Sequence, residues 1–344
     1  MIRAVDTKMF AEAGEAADIV AAQLEANRDR VEALGERLRL SPPTAAVICG
    51  RGSSDNAGVY ARYLIETKTG VLVSASAPSV SSVYARTPHL AGAAFIAISQ
   101  SGRSPDLVAA ARAARDGGAF VIALVNDETS PLAEAADAVI PLRAGPEKSV
   151  AATKTFIASL SAIAQLVACW RGDRALLAAL DSLPERMRQA WALDWSAALP
   201  VLVGSSGLYV VGRGIGYGVT REASLKLKET AGLHAEAFSA AEVRHGPMTL
   251  VRDGFPVLAF SQDDDTRPDL VELADSFAGR GARVMLAGGE PGPGVTRLPV
   301  IAEHPAIEPI LMIQSFYRLA AEVAVARGFD PDTPPFLNKV TETV

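Results

Sequence analysis

The sequence predicts two tandem doubly wound α/β domains, each on a parallel sheet and related by internal duplication. Three observations predict it. GlyArgGly at Gly50, Arg51 and Gly52 returns at Gly212, Arg213 and Gly214, and Ser99-Gln100 returns as Ser261-Gln262, both 162 residues on. One residue of slip later, Pro105, Asp106 and Leu107 reappear as Pro268, Asp269 and Leu270, and Gly118-Ala119 as Gly281-Ala282. Finally, short apolar runs that end in glycine turns alternate with helical stretches, the pattern of buried parallel strands in βα units.

Residues 7–39 are rich in Ala, Leu, Glu and Arg with apolar recurrence near 3.6, which predicts two helices packed on the body. The run 45–49 predicts a buried strand that enters a glycine turn, and 71–73, 94–98, 121–125 and 138–141 predict four more. A long helix over 153–170 closes the first domain, and 173–199 supplies helical connectors. The second sheet is expected at 208–212, 256–260, 283–286 and 296–301, with a closing helix over 306–327 and a Pro-rich tail after it. The expected domains are N-terminal helices at 1–34, a first domain at 35–172, a connector at 173–199, a second domain at 200–328 and a tail at 329–344.

The composition, 49% hydrophobic and 21% charged with a net charge of −6, is that of a folded globular protein. The acidic balance and the lack of basic runs argue against a nucleic-acid partner, because phosphate backbones need clustered Lys and Arg. Two cysteines, Cys49 and Cys169, have no metal-ligand spacing and point to buried, reduced thiols. The first 25 residues mix acids into their apolar positions, so they read as neither signal peptide nor membrane span, and a cytoplasmic protein is expected.

In an open parallel sheet, ligands bind beyond the carboxyl ends of the strands, where the Gly50 and Ser99 loops fall. Gly52, Ser53 and Ser54 with Ser99, Gln100, Ser101 and Ser104 could converge on one phosphate through hydroxyls and helix-N-terminal amides. N-capping is the plainer role for such serines, but six polar donors on two strand ends exceed what two caps need. The second copy opens instead onto Asp263, Asp264 and Asp265, carboxylates that repel an anion, so only the first copy is expected to hold one. GlyXxxGlyXxxXxxGly is not met at Gly50, where position 55 is Asp55, and Gly212 to Gly218 is out of register, so no nucleotide cofactor is expected.

Residues 221–229 read as a helix that places Glu222, Lys226 and Glu229 on one face. Taken alone, this spacing means a solvated, salt-bridged face. The segment that follows, with His234, Glu236, Glu242, His245, Gly246 and Pro247, tilts the reading toward proton transfer, since histidines beside carboxylates titrate near neutrality. Lys339, in the tail, reads by default as a solvated charge.

At these residues the chain resembles the sugar isomerase (SIS) family, and within it the isomerase half of the glutamine-dependent aminosugar-phosphate synthases. The resemblance spans roughly residues 35–344. It is carried by GlyArgGlySerSer at Gly50, IleSerGlnSerGly at Ile98, ValAlaAlaThrLys at Val150, LeuLysLeuLysGlu at Leu225, HisAlaGluAla at His234, GluValArgHisGlyPro at Glu242 and LeuAsnLysValThr at Leu337. It implies flavodoxin-like SIS domains. It also implies that Ser54, Ser99, Gln100, Ser101 and Ser104 hold a sugar 6-phosphate, with Gly52, Ser53, Val150, Ala151 and Lys226 among the substrate-binding positions. By the same resemblance Glu229 moves a proton between C1 and C2, His245 assists ring opening in the neighbouring subunit's site, and Lys339 forms a Schiff base with the ketose. A homodimer follows, and no metal or other cofactor is required.

Three departures accompany the resemblance. The chain begins Met1, Ile2, Arg3, without the nucleophilic cysteine that opens the family's glutaminase domain, so no internal ammonia source is expected. Arg103 and Ser104 stand where an acid and a threonine are common, and Ala152 replaces a serine. The expected activity is an aminosugar-6-phosphate deaminase/isomerase, converting glucosamine 6-phosphate to fructose 6-phosphate and ammonia. The alternatives are a deglycase for fructosamine-type conjugates, a plain aldose/ketose isomerase, and a sugar-phosphate sensor in which Glu229 and Lys339 are dispensable.

Overall fold

The computed structural model describes residues 2–339. In chain order its helices and strands begin with α1 (Lys8–Gly14), α2 (Ala16–Leu40), β1 (Ala46–Cys49), α3 (Ser53–Thr69), β2 (Val73–Ala75) and α4 (Ser79–Ser82). Next come β3 (Ala94–Ser99), α5 (Pro105–Asp116), β4 (Phe120–Val125), α6 (Pro131–Ala135), β5 (Ala138–Pro141) and α7 (Lys154–Arg171). Then follow α8 (Arg174–Trp191), α9 (Leu199–Val203), β6 (Gly207–Gly212), α10 (Tyr217–Ala231), β7 (His234–Ser239), β8 (Pro256–Phe260), α11 (Arg267–Ala278), β9 (Arg283–Ala287), β10 (Val295–Leu298) and α12 (Glu308–Ala326). They form two compact units. One comprises residues 18–147 and 154–181 with Asn338 and Lys339, the other residues 2–17, 148–153 and 182–337.

In the first unit five parallel strands run in the order β2-β1-β3-β4-β5. Because side chains alternate across a strand, the register Val47↔Phe95↔Val121 lines one face, which packs on Leu107, Val108 and Ala111 of α5 and Leu132 of α6. Ile48, on the other face, meets Gly58 of α3 so closely that a Cβ there would lie 2.9 Å away. The largely apolar α7 is buried along nearly all of its length, its serines and Gln165 included, the setting of a central core helix. Gln23 and Asn27 of α2 donate to the carbonyls of Leu142, Ala158 and Pro141, so the long N-terminal helix is bonded to the end of β5 and to α7. Cys49 is buried at the end of β1, where burial pushes its thiol up to about 12.

The second unit carries five parallel strands in the order β7-β6-β8-β9-β10. Each sheet therefore has the flavodoxin-like order 2-1-3-4-5, and the duplication legible in the sequence is a duplication of topology. Tyr209, Val211, Val257, Ala259 and Val284 face Leu270, Leu273 and Phe277 of α11. From the opposite side Phe260 meets Phe316 of α12 edge-to-face at 6.0 Å. By length and composition α12 could cross a membrane, but 78% of its most apolar window is buried inside this unit, the setting of a core helix.

Two expectations are corrected. The segment after α10 contains an unforeseen strand, β7, paired along its whole length with β6. The strand expected at 71–73 lies instead at Val73–Ala75, where Val73 turns inward while Leu72 is exposed.

Candidate functional site

In the first unit the strand order reverses between β1 and β3, the switch point at which a doubly wound sheet opens a crevice. Both loops at that crevice are shaped by glycine. A Cβ on Gly50 would lie 2.7 Å from the backbone of Ser54, so glycine there lets α3 begin directly against the strand end. Gly102 takes φ +63 and sits where a Cβ would strike Ser130 Oγ at 2.1 Å, which folds the Ser99–Ser104 loop back on itself.

Within that loop Ser99 Oγ accepts the amide of Gly102 at 3.0 Å and Ser101 Oγ accepts that of Arg103 at 3.3 Å. Each hydroxyl accepts, which leaves its O–H to donate. Ser104 occupies the N-cap position of α5 without a side-chain capping bond, so the plainer role does not account for it. Gln100's side-chain amide makes no hydrogen bond among the described residues. With Gly52, Ser53 and Ser54 opening α3, the two loops present hydroxyls and two helix N-termini at neighbouring strand ends, an arrangement suited to an anion. Arg51 braces the pair of loops by donating from Nε and Nη2 to Asp106 Oδ2 at 2.9 and 2.7 Å. Arg103 donates to Asp127 at 2.8 Å. Bonds from Thr129 and from Arg103 hold that carboxylate down at about 2.

The equivalent loop of the second unit is closed by its own carboxylates. Gln262 donates to Arg213 O at 2.9 Å, Asp264 Oδ2 at 2.8 Å and Thr266 Oγ1 at 3.0 Å. Asp264 Oδ1 takes the amide and hydroxyl of Thr266, and Glu308 takes the amide of Asp263 at 2.6 Å. Burial pushes Glu308 above the ordinary carboxylate range, against the bonds from the Glu303 and Asp263 amides and the charge of Arg267. Gln262 and Thr266, which could otherwise donate to an anion, are bonded within the loop, while Ser261 Oγ is buried without a hydrogen-bond partner among the described residues.

The face of α10 that spacing alone assigned to solvent is buried. Lys226 is 1% exposed and Glu222 is fully buried, with Lys226 Nζ 3.5 Å from Glu222 Oε1. Lys226 also donates to Glu229, whose carboxylate is 23% exposed at the open end of the row. From α12 Tyr317 Oη donates to Glu222 Oε1 at 3.1 Å. Buried charges persist only when paired and hydrogen-bonded, and this row meets that condition. Gly232, at φ +56, ends the helix directly after Glu229's turn.

His245 is exposed on the short turn Glu242–His245, separate from α10, and among the described residues makes no hydrogen bond to Glu229. Val150 and Ala151 lie in a segment fastened at both sides. Lys148 N and Ser149 N donate to Glu12 at 2.5 and 3.1 Å, and Val150 N donates to Asp332 O at 3.3 Å. Lys339 donates to Glu147 at 3.1 Å. Glu147 is fully buried and also receives the amide and hydroxyl of Thr155 at 3.2 and 2.9 Å. No signal in the sequence singled out Glu147, which stands 192 residues from its partner. Among the described residues no group of three His, Cys, Asp or Glu side chains could hold a metal ion.

Known proteins resemble the chain in sequence and in fold. A glutamine–fructose-6-phosphate aminotransferase (isomerizing) of Aeropyrum pernix is 35% identical over 313 residues, covering 85% of this chain and 50% of that protein. The chain thus spans about half the length of the aminotransferase relatives it matches. A crystal structure described as a phosphosugar isomerase from Silicibacter pomeroyi superposes with TM-score 0.91 at 41% identity, covering 95% of this chain and 100% of that one. The C-terminal domain of glucosamine-fructose-6-phosphate aminotransferase from Francisella tularensis superposes with TM-score 0.86 at 25% identity, covering 96% and 98%. Residues 40–169 and 202–290 match the SIS domain, so the chain, with its two duplicated sheets, belongs to the SIS family of phosphosugar isomerases.

Proposed function

We propose that the protein is an aminosugar-6-phosphate deaminase/isomerase that converts glucosamine 6-phosphate and water to fructose 6-phosphate and ammonia. The Gly52–Ser54 and Ser99–Ser104 loops take the 6-phosphate, and Val150, Ala151 and Lys226 help seat the sugar. His245 assists opening of the ring, acting in the neighbouring subunit's site of a cytoplasmic homodimer. Glu229 takes the proton from C2 of the open-chain aminoaldose and returns it to C1, leaving an imine at C2. Lys339 adds to that carbon and releases ammonia, and water then hydrolyses the lysine imine to the ketose. One water enters and one ammonia leaves, with no net oxidation or reduction.

The observation that carries this reading is the setting of Glu229, the solvent-facing end of a row whose other members, Glu222 and Lys226, are buried. A protein that only sensed a phosphosugar would have no use for two buried charges beneath an exposed carboxylate, because such pairs contribute little stability. The Lys339 step is tested by borohydride reduction in the presence of fructose 6-phosphate, followed by mass analysis of the Lys339 peptide. A reduced sugar adduct on that lysine, absent in Lys339→Ala, is expected; no adduct would contradict the step. Release of a larger amine from fructosamine-type conjugates, with no ammonia from aminohexose phosphates, would make the protein a deglycase.

A further inference from the structure

The two sheets share one side-chain bond that the duplication preserved. Arg51 donates to Asp106 in the first unit, and Arg213 donates to Asp269 in the second, the same arginine of GlyArgGly and the same aspartate of ProAspLeu. In the second unit a further arginine has joined. Arg244 Nη1 donates to Asp269 Oδ1 while Arg213 holds Oδ2, and Arg244 Nη2 also reaches the backbone oxygen of Asp269 at 3.3 Å.

Arg244 directly precedes His245. On that turn Val243 is buried, Arg244 is tied to the start of α11 and His245 points to solvent. Among the described residues the imidazole has no hydrogen bond of its own, so its place is set by the backbone beneath it. Two side-chain bonds fasten that backbone, Arg244 to Asp269 on one side and Tyr209 Oη to Pro247 O at 3.1 Å on the other. Between them Gly246 adopts φ +137 with nothing within 4 Å of a Cβ, so backbone conformation rather than space requires glycine there.

We infer that Asp269, clamped between Arg213 and Arg244, is a positioning residue for His245, an inherited structural bond extended to hold the turn that carries the ring-opening group. This rests on the role proposed for His245. Burial alone would raise the Asp269 carboxylate, but bonds from Arg244 and Arg213 keep it below its ordinary value, so the clamp stays charged at neutral pH. A displaced catalytic group loses rate while the phosphate loops, built on the other sheet, keep their affinity.

The test compares wild type, Asp269→Asn and Arg244→Ala in the full chain by amide hydrogen exchange and by steady-state kinetics on glucosamine 6-phosphate. Arg244→Ala keeps the Arg213–Asp269 bond and serves if Asp269→Asn does not fold. Faster exchange confined to residues 242–249, with kcat down on the order of tenfold to hundredfold and KM within about twofold, is expected. Arg244→Lys, which keeps one donor, should recover part of the loss. Unchanged exchange over 242–249 overturns the inference whatever the kinetics, and so does faster exchange with wild-type kcat. If wild type itself turns over no aminosugar phosphate, the functional reading fails while the exchange data still decide whether Asp269 holds the turn.

Discussion

Lys226 places its ammonium 3.5 Å from Glu222 Oε1, with both side chains sealed from water. Removing the cation alone takes away the ammonium that offsets the buried Glu222 charge, while the Tyr317 hydroxyl of α12 still donates to it. Lys226→Met should therefore cost about 3–5 kcal/mol, and adding Glu222→Gln should recover much of it. Urea unfolding of the single and double variants measures the coupling, and additive losses would refute it.

Glu147 fixes the tail lysine as it fixes the start of α7. Glu147→Ala should reduce borohydride trapping on Lys339 by on the order of tenfold or more, because an unanchored amine loses its alignment with the ketose carbon. Trapping at the wild-type level would show that the ion pair is not needed to place Lys339.

The two copies predict opposite responses to the same exchange. Ser101→Asp puts a carboxylate into the loop that carries the Ser99, Ser101 and Ser104 hydroxyls and should weaken phosphosugar binding on the order of a hundredfold, as a like charge near a phosphate does. Asp264→Ser, in the self-closed loop, should leave that affinity within about twofold. Isothermal titration with fructose 6-phosphate reads both, and equal effects would contradict the division of labour.

Glu308 ties stability to pH. Its folded pKa lies above the unfolded value, burial being the main cause, so its contribution is full below the ordinary carboxylate range and is lost as pH rises through the raised value. Glu308→Gln does not ionise and keeps an acceptor oxygen for one of the two amides, those of Asp263 and Glu303, which Oε2 and Oε1 of the carboxylate accept separately. Relative to wild type the variant should gain stability as pH rises from 4 to 7 in urea unfolding; a parallel pH profile would contradict this.

The repeat made both parallel sheets legible, because apolar strands ending in glycine turns recur at a fixed offset. β7 escaped because it is an edge strand whose apolar positions are mostly small, Ala235 and Ala237, so it is defined by pairing with Gly207–Gly212 rather than by its own pattern. The row on α10 was legible as a helix face but not as a buried one. Periodicity places Glu222, Lys226 and Glu229 together, while only the packing of α12, with Tyr317, decides that the face is inside. Glu147 and the Arg244–Asp269 bond join residues far apart in sequence, and no local signal reports them.

The central claim is tested most directly by ammonia release from glucosamine 6-phosphate, set beside galactosamine 6-phosphate and fructosamine 6-phosphate, with Glu229→Gln and Lys339→Ala as controls. Release from an aminohexose 6-phosphate, with matching ketose 6-phosphate and loss in both variants, is the predicted result. Tight binding of all three sugars with no turnover of any would contradict it and leave a phosphosugar sensor in its place.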